Sequence, residues 1–257
     1  MIDERLVVIV AGVLGAMVGS FLNVCIYRWP NDLSVVKPRS RCGDCGRTIA
    51  WYDNIPMVSW FLLKGRCRWC GARVSIQYPL VELGTAFIWA WMAATIMPEW
   101  QSLRGAVFFT ILLGIALTDA RQYIIPDEFS LGGLGLGLLF SISPGFPTVL
   151  QSVVGAVVGF TLLWIVGAAG TRIFKEDAMG GGDIKMMAMV GAFLGWEGVL
   201  LTTFLGALLG TLIFVPLSVI GKKRLVPFGV FLALGAAVTF LFGQPIIRWY
   251  GEYLMIP

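Results

Sequence analysis

The sequence predicts an all-α polytopic membrane protein: about eight transmembrane helices with a small cytoplasmic insertion built as a four-cysteine zinc knuckle. Three observations carry that expectation. Of 257 residues, 58% are hydrophobic and only 13% charged, about half the charged share of an ordinary soluble domain. Apolar runs long enough to cross, or nearly cross, a bilayer recur along the chain. The one sizeable polar stretch, residues 28–78, is rich in Pro, Arg and Cys.

The first apolar run covers residues 6–27. Asp3 and Glu4 precede it where a secretory signal would carry basic residues, and no small-residue cleavage motif follows. The run is therefore expected to stay as a span. Further runs cover 79–97, 103–117, 129–142, 149–169, 184–194, 199–220 and 226–242. Those at 129–142 and 184–194 are short for a full span; such a helix is buried in the bundle, or the bilayer thins around it. Gly15 and Gly19, Gly155 and Gly159, and Gly206 and Gly210 are spaced as small-xxx-small pairs, which read as helix–helix packing and also permit a homo-oligomer. The expected organisation is a first helix at 1–27, an insertion at 28–78 and a seven-helix core at 79–257.

Eight spans with the N-terminus outside put residues 28–78, 118–128, 170–185 and 221–225 on one side. That side holds all but Arg5, Arg104 and Arg248 of the 19 lysines and arginines, and so is the cytoplasm by the positive-inside rule. The net charge of +4 is accounted for by this topology, and no nucleic-acid partner is expected.

The insertion is too short to bury much core, and a segment of that size usually needs a metal or disulfides. Cys42 and Cys45, then Cys67 and Cys70, form two CxxCG knuckles. Four thiolates make a closed tetrahedral zinc site, structural because no coordination position stays open. Two disulfides are the rival, disfavoured where thiols stay reduced; a thioredoxin-like motif would need one CxxC beside a strand. Cys25, inside the first run, reads as a small packing residue.

Acids at the membrane mouth are costly and point to function. Asp119 ends one apolar run, where the helix dipole disfavours an anion. Asp183 follows Gly180, Gly181 and Gly182 where another run begins. It reads either as an N-cap for a helix starting at Ile184 or as a functional acid, the glycines allowing close backbone approach. Two carboxylates that meet share one proton, giving an acid and a base able to activate water. The chain has no histidine, so no Ser/His or Cys/His nucleophile and no HExxH site is available. Asp127 and Glu128, after Pro126, read as first-turn dipole compensation. Lys185 reads either as a positive-inside anchor or as a group that stabilises Asp183 or steers a substrate carboxylate. Glu82 needs a partner, either an insertion arginine or a bound cationic group. Asn23 and Arg28 are boundary residues of the first span.

Several of these pieces come together in one pattern: residues 19–30 with Asn23 and Arg28, the two CxxC knuckles, 78–82 ending in Glu82, Thr118-Asp119 through Pro126-Asp127, and 179–185 with the Gly-Gly-Gly-Asp-Ile-Lys run. The chain resembles the bacterial type IV prepilin peptidases, membrane aspartic proteases with a GxGD motif. The motifs occur in family order from the first span to the sixth; the last two spans match only as hydrophobic helices. Ala178 stands where the family often has a glycine.

The resemblance implies that Asp119 and Asp183 are the catalytic pair, with Gly180, Gly181, Gly182 and Lys185 supporting that loop, and that Asp127 is a neighbouring acid. It raises Glu82, Asn23, Arg28 and Asp127 as candidates for substrate or methyl-donor binding. It implies cleavage after glycine of the basic leader of type IV prepilins and type II secretion pseudopilins, at the cytoplasmic face of a bacterial inner membrane and among its lipids. It also implies N-methylation of the new N-terminus from S-adenosylmethionine. The alternatives are a GxGD peptidase without methylation, an intramembrane transporter or proton relay, and a zinc-stabilised scaffold. No Gly-rich strand-to-helix loop marks a Rossmann-type methyl-donor site.

Overall fold

The computed structural model describes residues 3–145, 147–177, 179–219 and 227–254. Ala178, Lys222, Lys223 and Arg224 lie outside the described residues. Eight α-helices follow in order: α1 Glu4–Arg28, α2 Val58–Leu62, α3 Gln77–Thr95, α4 Glu99–Gln122, α5 Asp127–Phe140, α6 Val149–Phe174, α7 Gly181–Val219 and α8 Phe228–Leu254. Among the described residues the only extended pairing is two single antiparallel bridges, Arg41 with Thr48 and Arg66 with Arg73.

The all-helical expectation is borne out, with differences in the count. Among the described residues five segments are long and apolar enough to cross a membrane: Glu4–Asn31, Glu99–Gln122, Val149–Phe174, Gly181–Phe214 and Phe228–Tyr253. Helix α5, with 14 residues, is only about 21 Å long at 1.5 Å per residue. Helix α3 is diluted by Gln77, Glu82 and its tryptophans. The runs at 184–194 and 199–220 are joined in α7, which breaks its helical backbone at Gly195 (φ 72°, ψ 178°). That conformation favours glycine, and it falls between the two runs.

The chain divides into two compact units, one up to Thr110 and one from Ile111 onward. In the first, α1 lies along α3. A Cβ on Gly15 would stand 2.7 Å from the Thr85 carbonyl oxygen, and one on Gly19 2.8 Å from Glu82 Cα. The outer face of α1, with Leu6, Ile9 and Val13, is exposed, as a lipid-facing stripe should be. Cys25 is 1% exposed, consistent with packing.

In the second unit α7 is the centre, packed by α5, α6 and α8. Its first half is buried all round: Met186, Met187, Met189, Val190, Ala192 and Phe193 are fully covered. Helix α6 approaches through Gly155 and Gly159, where added Cβ atoms would collide with the carbonyl oxygens of Gly191 and Met187. Ser152 Oγ donates to the Ala192 carbonyl at 2.8 Å. On the other side, a Cβ on Gly235 of α8 would stand 2.8 Å from the Thr202 carbonyl oxygen, and Thr202 Oγ1 bonds Thr239 Oγ1 at 3.1 Å. Close backbone approach is the main association force between helices in lipid. Gly159→Val is expected to lower the unfolding temperature in detergent, because overpacking here costs about 1–3 kcal/mol or more. Gly132→Ala, at an α5 position with open space around it, should leave it unchanged. Equal melting of the two variants would contradict the packing account.

Candidate active site and metal centre

The buried half of α7 starts at the glycine run, so Asp183 rides on the best-supported element of its unit. The helix begins at Gly181, which makes Asp183 the third helical residue and not an N-cap ahead of Ile184. Its N–H donates to the Gly180 carbonyl at 3.2 Å, and its carboxylate accepts the Gly180 N–H. This is the back-bond that an acid at that position makes in a capping box. Asp183 Oδ1 is buried and has no hydrogen-bond partner among the described residues. A buried acceptor left in that state is unusual in a folded protein.

Asp119 lies in the last turn of α4 and is 6% exposed. Its own helix dipole disfavours it, but the first turn of α8 compensates. Val230 N–H donates to Asp119 Oδ2 at 3.1 Å, and the Gly229 N–H also donates to this carboxylate. Free N–H groups at a helix start are natural partners for an anion. The carboxylates of Asp119 and Asp183 are close enough to interact electrostatically. Ile125 packs on both sides of the pair: a Cβ on Gly182 would stand 2.9 Å from Ile125 Cβ, and one on Gly229 2.8 Å from Ile125 Cδ1. Two acids 64 residues apart in sequence thus meet at helix ends.

Lys185 neither anchors alone nor touches Asp183. Its Nζ donates to both carboxylate oxygens of Asp127, at 2.7 and 2.8 Å, tying the first turn of α5 to the second turn of α7. Both side chains are exposed, so the pair adds little to stability, roughly 0–1 kcal/mol. Asp127 therefore does more than compensate the α5 dipole.

The other candidates lie in the first unit. Asn23 Nδ2 donates to the carbonyls of Gly19 (3.2 Å) and Tyr78 (3.1 Å), joining α1 to the start of α3. Arg28 donates to the carbonyls of Ser34 (2.7 Å) and Pro38 (2.8 Å), fixing the turn into the insertion. Glu82 is 7% exposed, and its partner is not an arginine. Its Oε2 accepts the Met57 N–H at 2.6 Å, and the carboxylate also bonds the Ser20 side chain. Met57 holds a positive φ of 60°, so Glu82 pins a strained turn just before α2.

The insertion brings its four cysteines together. Each knuckle has the same backbone: Cys42 N–H to the Arg47 carbonyl and Gly46 N–H to that of Cys42, then Cys67 to Ala72 and Gly71 to Cys67. Gly46 and Gly71 take φ of 68° and 72°, which explains the glycine after each CxxC. The four Sγ atoms lie within 4.8 Å of one another, with Cys42 and Cys70 at 3.7 Å. A tetrahedral site with metal–sulfur bonds of about 2.3 Å spaces its sulfurs about 3.8 Å apart, so the cluster fits a metal ion. A disulfide would need about 2.05 Å. Cys67 accepts the N–H groups of Cys70 and Trp69 and titrates near 7, lowered to about 7 from its usual range. Cys70 accepts the Ala72 N–H, yet burial and the sulfurs of Cys67, Cys45 and Cys42 push it up to about 12. Neighbouring thiolates repel, and a divalent cation removes that conflict. Around the cluster, Arg47 stacks on Trp69 with 4.9 Å to the ring centroid. Arg68 makes a bidentate pair with Asp53, and this guanidinium holds the Asp53 carboxyl below the usual carboxylate range.

This geometry can be set beside known proteins. The profile of the Bacterial Peptidase A24 N-terminal domain matches residues 13–96, which cover most of α1, the insertion and α3. That of the Type IV leader peptidase family matches residues 106–215, which contain both acids. The Prepilin leader peptidase/N-methyltransferase of Aeromonas hydrophila is 34% identical over 261 residues, covering 91% of this chain and 90% of that protein. The protein of the same name from Myxococcus xanthus is 36% identical over 253 residues, covering 95% of this chain and 75% of that protein. The one from Neisseria gonorrhoeae is 32% identical over 271 residues, covering 96% and 94%.

The chain belongs to the type IV leader peptidase family. No solved structure matches it. The stretch matched by the leader peptidase profile ends at residue 215, short of the α8 turn that holds Asp119. Sequence reasoning missed Gly229 and Val230 in the same way, reading the last spans only as apolar. The available signal was Pro227 followed by Gly229 at the head of the run, since proline favours the start of a helix.

Proposed function

We propose that this chain is a membrane aspartic endopeptidase that removes the basic leader from type IV prepilins and type II secretion pseudopilins, cutting after glycine. The observation that carries the reading is the pairing of Asp119 with Asp183 in a leader peptidase relative that has no histidine. One carboxylate takes a proton from water as it attacks the scissile carbonyl, and the other donates to the departing amide nitrogen. Positioned acid–base groups of this kind contribute about 10²–10⁴-fold each. Gly180, Gly181 and Gly182 let the backbone come close to the acids, and the Lys185–Asp127 pair holds the loop from outside.

The basic residues gather on the side that holds both acids, which supports a cytoplasmic site in a bacterial inner membrane with the N-terminus outside. Exposed apolar faces such as that of α1 then meet lipid. We assign residues 28–78 to substrate handling and 79–257 to the peptidase core. In the insertion Cys42, Cys45, Cys67 and Cys70 would hold zinc, which ties the two knuckles together without entering the reaction.

The names of the relatives support a second activity, N-methylation of the new N-terminus from S-adenosylmethionine. No strand-to-helix glycine loop exists among the described residues that would fit this donor in a Rossmann manner, and no step is derived through it. Purified protein incubated with a prepilin tests both activities. Shortening of the prepilin by its leader is expected, followed by transfer of labelled methyl from S-adenosylmethionine. Absence of cleavage, with proton flux into vesicles instead, would favour the relay reading. Cleavage without transfer would leave a simple peptidase.

A further inference from the structure

Helix α8 makes a contact with Asp119 that lies beyond the stretch matched by the leader peptidase profile, which ends at residue 215. Gly229 is its second residue and Val230 its third, so their N–H groups have no acceptor within the helix. Both point at Asp119. The approach depends on glycine: a Cβ at position 229 would stand 2.9 Å from Asp119 Oδ2, 3.2 Å from its Cγ and 2.8 Å from Ile125 Cδ1. Such a Cβ would press on the Asp119 carboxylate itself and on the tip of Ile125, so one of them would have to shift.

We propose that the first turn of α8 belongs to the reaction centre, with Gly229 and the Val230 N–H as positioning residues that orient the Asp119 carboxylate toward Asp183. The proposal rests on the reading of these two acids as the catalytic pair. Side-chain rotation of Asp119 would otherwise carry its oxygens away from the reacting water, and catalytic groups must be held to within about 0.5 Å. A backbone donor does this without adding a competing acid or base. It also explains why a helix beyond the recognisable motifs is part of the peptidase.

The test uses full-length enzyme with a prepilin substrate and three variants. Gly132→Ala, at an α5 position with open space around it, is the control. Val230→Pro removes the donor within the first turn of the helix, where proline is best tolerated; among the described residues that N–H has one other acceptor, the Pro227 carbonyl at 3.3 Å. Gly229→Ala introduces the colliding Cβ. Gly132→Ala is expected to cleave like wild type. Val230→Pro should lose about 10- to 100-fold in kcat with KM unchanged, the scale of a lost hydrogen bond to a charged group, and Gly229→Ala at least as much. Unfolding temperatures should stay within a few degrees. Val230→Pro cleaving as fast as Gly132→Ala would overturn the proposal, and so would a loss confined to KM or one matched by a fall in unfolding temperature. Asp119→Asn in parallel separates the two readings: if it cleaves, the catalytic pair itself is wrong, whereas a dead Asp119→Asn beside a fully active Val230→Pro removes only the role of α8.

Discussion

Asp119→Asn and Asp183→Asn are each expected to abolish leader cleavage, by about 10³-fold or more, while the protein still inserts and folds. Removing one member of a set that acts as a unit costs nearly as much as removing all of it. Asparagine keeps the size of the side chain and can still accept the Val230 N–H at position 119. At position 183 it can still accept from Gly180. Neither helix end therefore loses its bonding, and only proton exchange is lost. The measurement is the initial cleavage rate in detergent, paired with far-UV circular dichroism and the unfolding temperature. Substantial cleavage by either variant would remove the pair. Unfolding of Asp183→Asn alone would instead make Asp183 a structural acid of the α7 start.

Second in size is the effect of the metal. Purified protein should carry close to one zinc per chain, and the double variant Cys42→Ser/Cys67→Ser should carry none. Binding free energy at such a site is folding free energy, about 10–16 kcal/mol in isolated zinc-finger peptides. The insertion has little else: it holds the five residues of α2 and the short 3-10 turns Trp29–Asn31 and Trp51–Asn54, with Glu82 and Arg28 fastening its ends. Loss of zinc should thus expose residues 28–78 to proteolysis while the helices that carry Asp119 and Asp183 stay protected. Metal-free protein with a protease-resistant insertion would contradict the zinc assignment. Retained cleavage of a short peptide, with loss on full prepilin, would locate substrate handling in the insertion.

Much of this was legible in the chain. Apolar runs encode helices directly, so α1, α4, α6 and α8 fall where composition puts them. The interruption of α7 was visible as the gap between residues 194 and 199. The two CxxCG knuckles carry their own ligand spacing and turn glycines. What misled was local reading of charged residues. The cap for Ile184 that stood as the rival reading of Asp183 does not form, because the glycine run itself enters the helix and Asp183 bonds back to Gly180. Glu82 suggested a cationic partner, whereas a backbone N–H at a strained turn occupies it.

By itself, the sequence determined the helical membrane architecture, the four clustered cysteines and the two suspect acids, since each depends on residue type and spacing along a few turns. The tertiary structure decided which groups meet: Lys185 with Asp127, Glu82 with Met57, and the α8 turn with Asp119. Those partners lie 58, 25 and 111 residues apart. Such pairings are set by how closely helices pack, and close packing depends on surfaces matched in three dimensions, which no short stretch of sequence encodes.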